Sequence, residues 1–419
     1  MSKFIIQGGS KLSGTIEVKG AKNLALKIIP ASILSSSPIT ITNLPNIEDV
    51  NKSLELIESL GGKVERSSNS CTIDTSNIKN AKLDNHLAGQ FRASIMFTAP
   101  LLARFGKVEF PHPGGCVLGA GGRPIDLFLD GFAAFGAKIS LNERSYIIEA
   151  PILVGCEFFF NIVSVTATES MLMCACLAKG TTTLKNCAME PEIIALANYL
   201  TEMGVKISGI GSPTMIIEGI TNINAGVFDV IPDRIEAGTF AIMAALTKSN
   251  IKITNCNPKH LEILLNIFKK QEIVFETADT SIEIFPTETI KPYGIKTHEY
   301  PGFPTDLQPP FTLLATQANG TTLVHETIYD QRLLFTDMLN HMGADIITFD
   351  PHRVRVTGPT KLYGHKLISP DLRAGITLIL AGLIATGTTQ IDNIYQVDRG
   401  YENIDQRLKA LGANITRVE

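Results

Sequence analysis

The sequence predicts an α/β protein of two similar domains, each assembled from three repeated units. Two observations carry that prediction: a short phrase that recurs at near-constant spacing, and one order of segments between its copies. The phrase reads LGGK at 60–63, FGAK at 135–138, MGVK at 203–206, MGAD at 342–345 and LGAN at 411–414. KQEI at 270–273 holds the remaining place without its glycine. Successive copies lie 75, 68, 67, 72 and 69 residues apart. Solenoid repeats are shorter, roughly 20–50 residues, so a tandem solenoid is the weaker reading.

Each unit opens with an apolar, small-residue segment, such as 167–178 or 375–385, with few β-branched runs. Such a segment reads as a buried helix. A glycine turn and a short strand follow, as in GTTTLKN at 180–186 and GTTQIDN at 387–393. The next segment is an amphipathic helix. In the last unit Ile404, Leu408 and Leu411 fall at helical spacing, and Asp405, Arg407 and Lys409 face outward. The helix ends at the glycine of the phrase, a left-handed cap position, and an alternating strand closes the unit. The segment 4–18 has a strand pattern but no repeat of its own. It is expected to pair with the last units, which gives domains of 22–229 and of 1–21 plus 230–419.

Composition narrows the function. With 44% hydrophobic and 19% charged residues the chain can bury real cores and is not disordered. A net charge of −4 is not the basic field of a nucleic-acid binder. The start MSKFIIQGG lacks the apolar run of a secretory signal, and 376–384 is too short for a membrane span of ~20 residues. Seven scattered cysteines suit reduced thiols and a cytoplasmic location. GxxxxGK[ST] is absent, and no His/Cys/Glu set has metal-ligand spacing, so neither P-loop chemistry nor a metal is expected.

Three groups of residues invite chemistry. The loop HPGGCVLGAGG at 112–122 carries Cys116 among five glycines and runs into Arg123 and Pro124. Glycines permit close approach, and a neighbouring arginine favours a thiolate; the plain alternative is a flexible loop with an incidental cysteine. Cys174 and Cys176, in an apolar helical pattern, read as core. Cations form the second group: Lys22, Arg92, Arg373 and Arg399. A charge at the start of a buried helix is costly unless paired or bound to an anion, so pairing of Arg373 and Arg399 with Asp371 or Asp398 is the alternative to an anionic substrate. Carboxylates form the third: Asp306, Asp371, Asp233 and Glu236 stand at matching starts of units four to six, as helix caps or as a base for a hydroxyl.

Taken together, GAKN (20–23), RASI (92–95), PGGC (113–116), RPIDL (123–127), EPEI (190–193), PDRIEAGTF (232–240), FPTD (303–306), DLRA (371–374) and DRGYE (398–402) resemble the UDP-N-acetylglucosamine 1-carboxyvinyltransferase family over essentially the whole chain. The resemblance implies an enolpyruvyl transferase-like fold: an inside-out α/β (α+β) barrel in each of two similar domains, with buried helices, surrounding sheets and the active site between the domains. It implies transfer of the enolpyruvyl group of phosphoenolpyruvate to the 3-hydroxyl of UDP-N-acetylglucosamine, the first committed step of peptidoglycan synthesis. Cys116 would be the general acid and Asp306 the base, with Lys22 and Arg399 also catalytic. Lys22, Asn23, Arg123, Arg332, Arg373 and Arg399 would hold phosphoenolpyruvate: Lys22, Arg123 and Arg399 its phosphate, Arg332 and Arg373 its carboxylate. The nucleotide sugar would meet Asn23, Arg92, Arg123, Pro124, Ile125, Asp126, Leu127, Val163, Ser164, Val165, Asp306 and Ile328. No cofactor or metal is implied, and the partners are the two small-molecule substrates, with neither nucleic acid nor membrane. The Cys116 loop is slightly longer than the family's usual one, and Met96, Phe128, Thr166 and Gln396 stand where the family commonly has other residues. The shikimate-pathway enolpyruvyl transferase and a catalytically idle paralogue that keeps the sugar site are the alternatives.

Overall fold

At each of the six copies of the phrase, a helix ends in the same hydrogen-bonded turn. The computed structural model describes residues 2–111, 125–142 and 145–419. In each turn a backbone N–H reaches back five residues: Gly62 to Ile57, Ala137 to Phe132, Val205 to Leu200, Ile273 to Phe268, Ala344 to Leu339 and Ala413 to Leu408. The residue before each donor has positive φ: Gly61 at 97°, Gly136 at 90°, Gly204 at 104°, Glu272 at 61°, Gly343 at 107° and Gly412 at 103°. This is the Schellman ending, which glycine adopts without the Cβ penalty. The fourth unit keeps it with Glu272. The repeat there is QEIV at 271–274, one residue beyond the KQEI that the sequence suggests.

Contacts divide the described chain into two units, residues 20–231 and residues 2–19 with 232–419. Within 20–231 the buried helices are Lys22–Ala31, Thr98–Phe105 and Val165–Leu177. Every residue from Ala167 to Cys176 is buried, as a helix apolar all round must be. In the other unit Arg234–Leu246, Gln308–Ala315 and Leu372–Ile384 pack against one another. Helices lie inside and sheets outside in both units.

Each unit carries three sheets that pass a strand forward. Val227–Asp229 pairs in parallel with Ile39–Thr42, Glu157–Phe159 with Thr181–Lys185, and Lys82 bridges Glu109. In the other unit Ser13–Glu17 pairs with Asn250–Thr254, Ile295–Lys296 with Gly320–His325, and Lys366–Ile368 with Thr388–Asp392. The strand Lys3–Gln7 lies between Thr388–Asp392 and Asn414–Val418, antiparallel to both, and completes the last sheet.

A second repeated device closes four of the sheets. Asn43, Asn186, Asn255 and Asn393 follow their strands with φ between 52° and 60°. Each donates Nδ2 to the carbonyl just past the parallel partner strand: to Val230 (2.6 Å), Phe160 (2.7 Å), Val18 (2.7 Å) and Ser369 (2.9 Å). Asparagine tolerates the left-handed region and supplies the donor, which is why this residue type recurs.

Candidate functional site

In the unit 20–231, Lys22 and Asn23 open the helix Lys22–Ala31. Lys22 is buried, and its Nζ lies 2.8 Å from Asp49 Oδ2 in the first turn of Glu48–Ser59. Four residues after Asn23, Lys27 Nζ donates to the Asn23 carbonyl (2.6 Å) and lies 3.2 Å from Glu169. Glu169 is fully buried, and among the described residues neither of its oxygens has an aligned hydrogen-bond donor. The helix Lys22–Ala31 also packs against the turn Arg92–Phe97, which Arg92 opens, and against Pro191–Glu202. Ile125 precedes Asp126 and Leu127 at the start of Asp126–Ala134. Val163, Ser164 and Val165 lead into Val165–Leu177, where Ser164 Oγ caps the helix by accepting from Ala167 N–H at 3.3 Å. Cys116, Arg123 and Pro124 lie outside the described residues.

In the other unit, Asp306 sits in the short turn Thr305–Leu307 ahead of Gln308–Ala315. Arg332 Nη2 donates to its Oδ1 (3.0 Å) and Arg373 Nη2 to its Oδ2 (2.8 Å). Both arginines are buried, and Asp306 keeps a quarter of its side chain open. Burial alone would push the Asp306 carboxyl up. The charges and hydrogen bonds of Arg373 and Arg332 overrule it and hold the carboxyl well below the usual range. Burial likewise opposes the charge on each guanidinium, yet Asp306 makes both hold their protons more firmly than usual. Arg373 Nη1 further donates to Tyr401 Oη (3.2 Å), which shares a hydrogen with Thr239 Oγ1 at 3.0 Å. Arg399 caps the short helix Tyr395–Asp398 and donates to Gln396 Oε1 (3.0 Å); that helix packs on Leu372–Ile384.

The carboxylates at unit starts do different work. Asp371 and Asp233 are helix caps, each accepting from two backbone N–H groups. Arg373 pairs with Asp306, and Asp398 pairs with Arg417 through two bonds of 2.8 Å. Glu236 accepts from Arg407 (2.6 Å) and from Lys19 N–H (2.8 Å). Asp306 is therefore the unit-start acid that faces two cations instead of a helix end. Met96 and Phe128, which depart from the family pattern, are buried core residues. Asp49, Lys27, Glu169 and Tyr401 escaped sequence reasoning. An acid in a first helical turn is commonplace, and the others look like ordinary helix or turn residues until the fold pairs them.

This arrangement offers fixed cations and an acceptor carboxylate, which suits an anionic substrate with a hydroxyl to activate. Among the described residues no group of three or more His, Cys, Asp or Glu could hold a metal ion. No helix among them is long and apolar enough to cross a membrane. The family model for EPSP synthase (3-phosphoshikimate 1-carboxyvinyltransferase) matches residues 6–408. Among solved structures, the enolpyruvyl transferase NikO from Streptomyces tendae is similar at a TM-score of 0.90 and 24% identity, over 100% of this chain and 99% of that one. EPSP synthase from Acinetobacter baumannii gives 0.75 and 18% over the full length of both. Both likenesses speak for the fold alone. A UDP-N-acetylglucosamine 1-carboxyvinyltransferase of Desulfosudis oleivorans is 42% identical over 418 residues, covering 100% of each chain. Matched along its whole length at that identity, the chain belongs to the UDP-N-acetylglucosamine 1-carboxyvinyltransferase family.

Proposed function

We propose that the protein transfers the enolpyruvyl group of phosphoenolpyruvate to the 3-hydroxyl of UDP-N-acetylglucosamine, with release of phosphate. The observation that carries this reading is full-length identity of 42% to a relative of that name. The wider setting proposed is the cytoplasmic first committed step of peptidoglycan synthesis. In this reading Lys22, Arg123 and Arg399 take the phosphate, and Cys116 protonates the methylene carbon. The adjacent carbon becomes electrophilic and the sugar hydroxyl adds to it. Arg332 and Arg373 take the carboxylate, and Asp306 receives the hydroxyl proton.

The grip on Asp306 gives this chemistry an order. A carboxylate bonded to two guanidinium groups is a poor base. When the carboxylate of phosphoenolpyruvate competes for Arg332 and Arg373, Asp306 loses part of that stabilisation and gains proton affinity next to the hydroxyl. The base is thus weak until the acceptor of the new bond is present. The cations supply the electrostatic stabilisation of the tetrahedral adduct; phosphate then leaves and the methyl carbon gives up a proton to a base of the site, which restores the enol double bond in the product.

The test is phosphate release from phosphoenolpyruvate with UDP-N-acetylglucosamine, compared with shikimate 3-phosphate. Release with the nucleotide sugar alone is expected. Release only with shikimate 3-phosphate, or with neither, would overturn the proposal. Cys116→Ser is expected to lose most turnover at neutral pH, and Cys116→Asp to keep activity, because a carboxylic acid also donates a proton.

A further inference from the structure

Glu326 departs from the repeated sheet-closing device at the one strand that leads toward Arg332. Four sheets end in an asparagine that donates to the carbonyl just past the parallel strand. The strand Gly320–His325 ends instead in Glu326, fully buried, beside Thr297 just past the parallel strand Ile295–Lys296. The direction of the bond is reversed. Thr297 Oγ1 donates to Glu326 Oε1 at 3.0 Å, and so do the backbone N–H groups of Ile328 (2.8 Å) and Tyr329 (3.2 Å). Thr305 Oγ1 donates to the other oxygen, Oε2, at 2.9 Å. All four donors are neutral. A buried carboxylate is tolerable only when its acceptor sites are filled in this way, so its presence needs a reason beyond closing a sheet, which asparagine does elsewhere.

We propose that Glu326 is a positioning residue that locks Asp306 in register with Arg332. Thr305 directly precedes Asp306. The turn whose N–H groups Glu326 binds runs from Ile328 to Arg332. One carboxylate thus ties the segment carrying the acceptor to the segment carrying its cation, and Arg332 and Asp306 meet at 3.0 Å at the far end of that loop. The inference rests on the proposed function, in which Asp306 receives the hydroxyl proton. Oε1 orders the turn; Oε2 orders the acceptor.

Thr305→Val cuts only the Oε2 link and keeps the side chain's shape, and Thr305→Ser restores the donor. In the phosphate-release assay Thr305→Val is expected to lower kcat about tenfold and to leave both KM values within about threefold, since an acceptor out of register costs rate more than binding. Its Tm is expected to fall by a few degrees, because Oε2 loses its donor, and to return in Thr305→Ser. Thr305→Ser should recover most of the kcat. A Thr305→Val enzyme with wild-type kcat, or an equal loss in Thr305→Ser, would overturn the assignment. No release by the wild type would instead sink the proposed function. Crystal structures of wild type and Thr305→Val then still decide the inference: Asp306 turned away from Arg332 in the variant supports it, and an unmoved Asp306 overturns it.

Discussion

Glu169 is enclosed within the helix Val165–Leu177, and burial pushes its carboxyl up to about 7, against the pull of Lys27. A glutamate in the unfolded chain titrates near 4.3. Between those two values the folded state keeps a proton that the unfolded state has lost, so stability falls as pH rises through the window. The difference in unfolding free energy between wild type and Glu169→Gln should decline by about 1–3 kcal/mol from pH 5 to 8. Urea melts across that range check it, and a flat difference would contradict it. Six cysteines lie among the described residues. Burial pushes Cys71, Cys187 and Cys256 up to about 11, Cys174 and Cys176 higher still, and Cys156 in the same direction. Thiolate is the reactive form, so these six should alkylate slowly at neutral pH. Peptide mapping after brief iodoacetamide treatment is expected to find Cys116 modified first; modification mainly at another position would count against its role as the acid.

The six helix endings show what a sequence discloses at the level of elements. Gly61, Gly136, Gly204, Gly343 and Gly412 announce their turns because positive φ selects for glycine. Glu272 hides its turn, so the reading there slips by one residue. The pairings of Lys22 with Asp49, Lys27 with Glu169 and Asp306 with two arginines join positions up to 142 residues apart. No local pattern encodes them; they follow from how the units close. The asparagines at strand ends were legible in principle, since ITN, LKN and IDN recur, and their significance emerges once the parallel partner is known. Substitution should expose the asymmetry of the turns. A Cβ added at Gly136 meets no neighbour within 4 Å, so Gly136→Ala pays only for its backbone, about 1 kcal/mol or more. Glu272→Gly relieves a strained φ but loses an exposed pair with Lys291 and gains unfolded-state freedom, so it should fall within about 0.5 kcal/mol of wild type. Denaturant midpoints of the two variants test the prediction; equal losses would contradict it.

On the scale of the molecule, the described residues of one unit fall within 20–231, and the other unit is assembled from both ends of the described chain. Lys3 pairs with Val418 and Gln7 with Asn414. Joining residue 419 to residue 1 by a short Gly/Ser linker and reopening between Lys19 and Gly20 would bring residues 232–419 and 2–19 into one run of sequence. That permutant is expected to fold with a Tm within about 3 °C of the parent, because the new junction lies at a strand end and the cut falls between the units. Removing residues 1–19 without rejoining them should unfold the 232–419 unit, since two of its sheets lose a strand. Limited proteolysis should then leave a resistant fragment within 20–231.

That same antiparallel pairing sets a schedule for synthesis. On a ribosome adding about 5–20 residues per second, Lys3–Gln7 leaves its template tens of seconds before either strand it will lie between. Residues 20–231 can complete their own sheets meanwhile. A strand made so long before its partners must wait as an unpaired edge, and it is the kind of segment that aggregates or recruits chaperones. A chain stalled before residue 388 would therefore carry one finished unit and one that never closes, and the waiting strand would expose it to proteolysis.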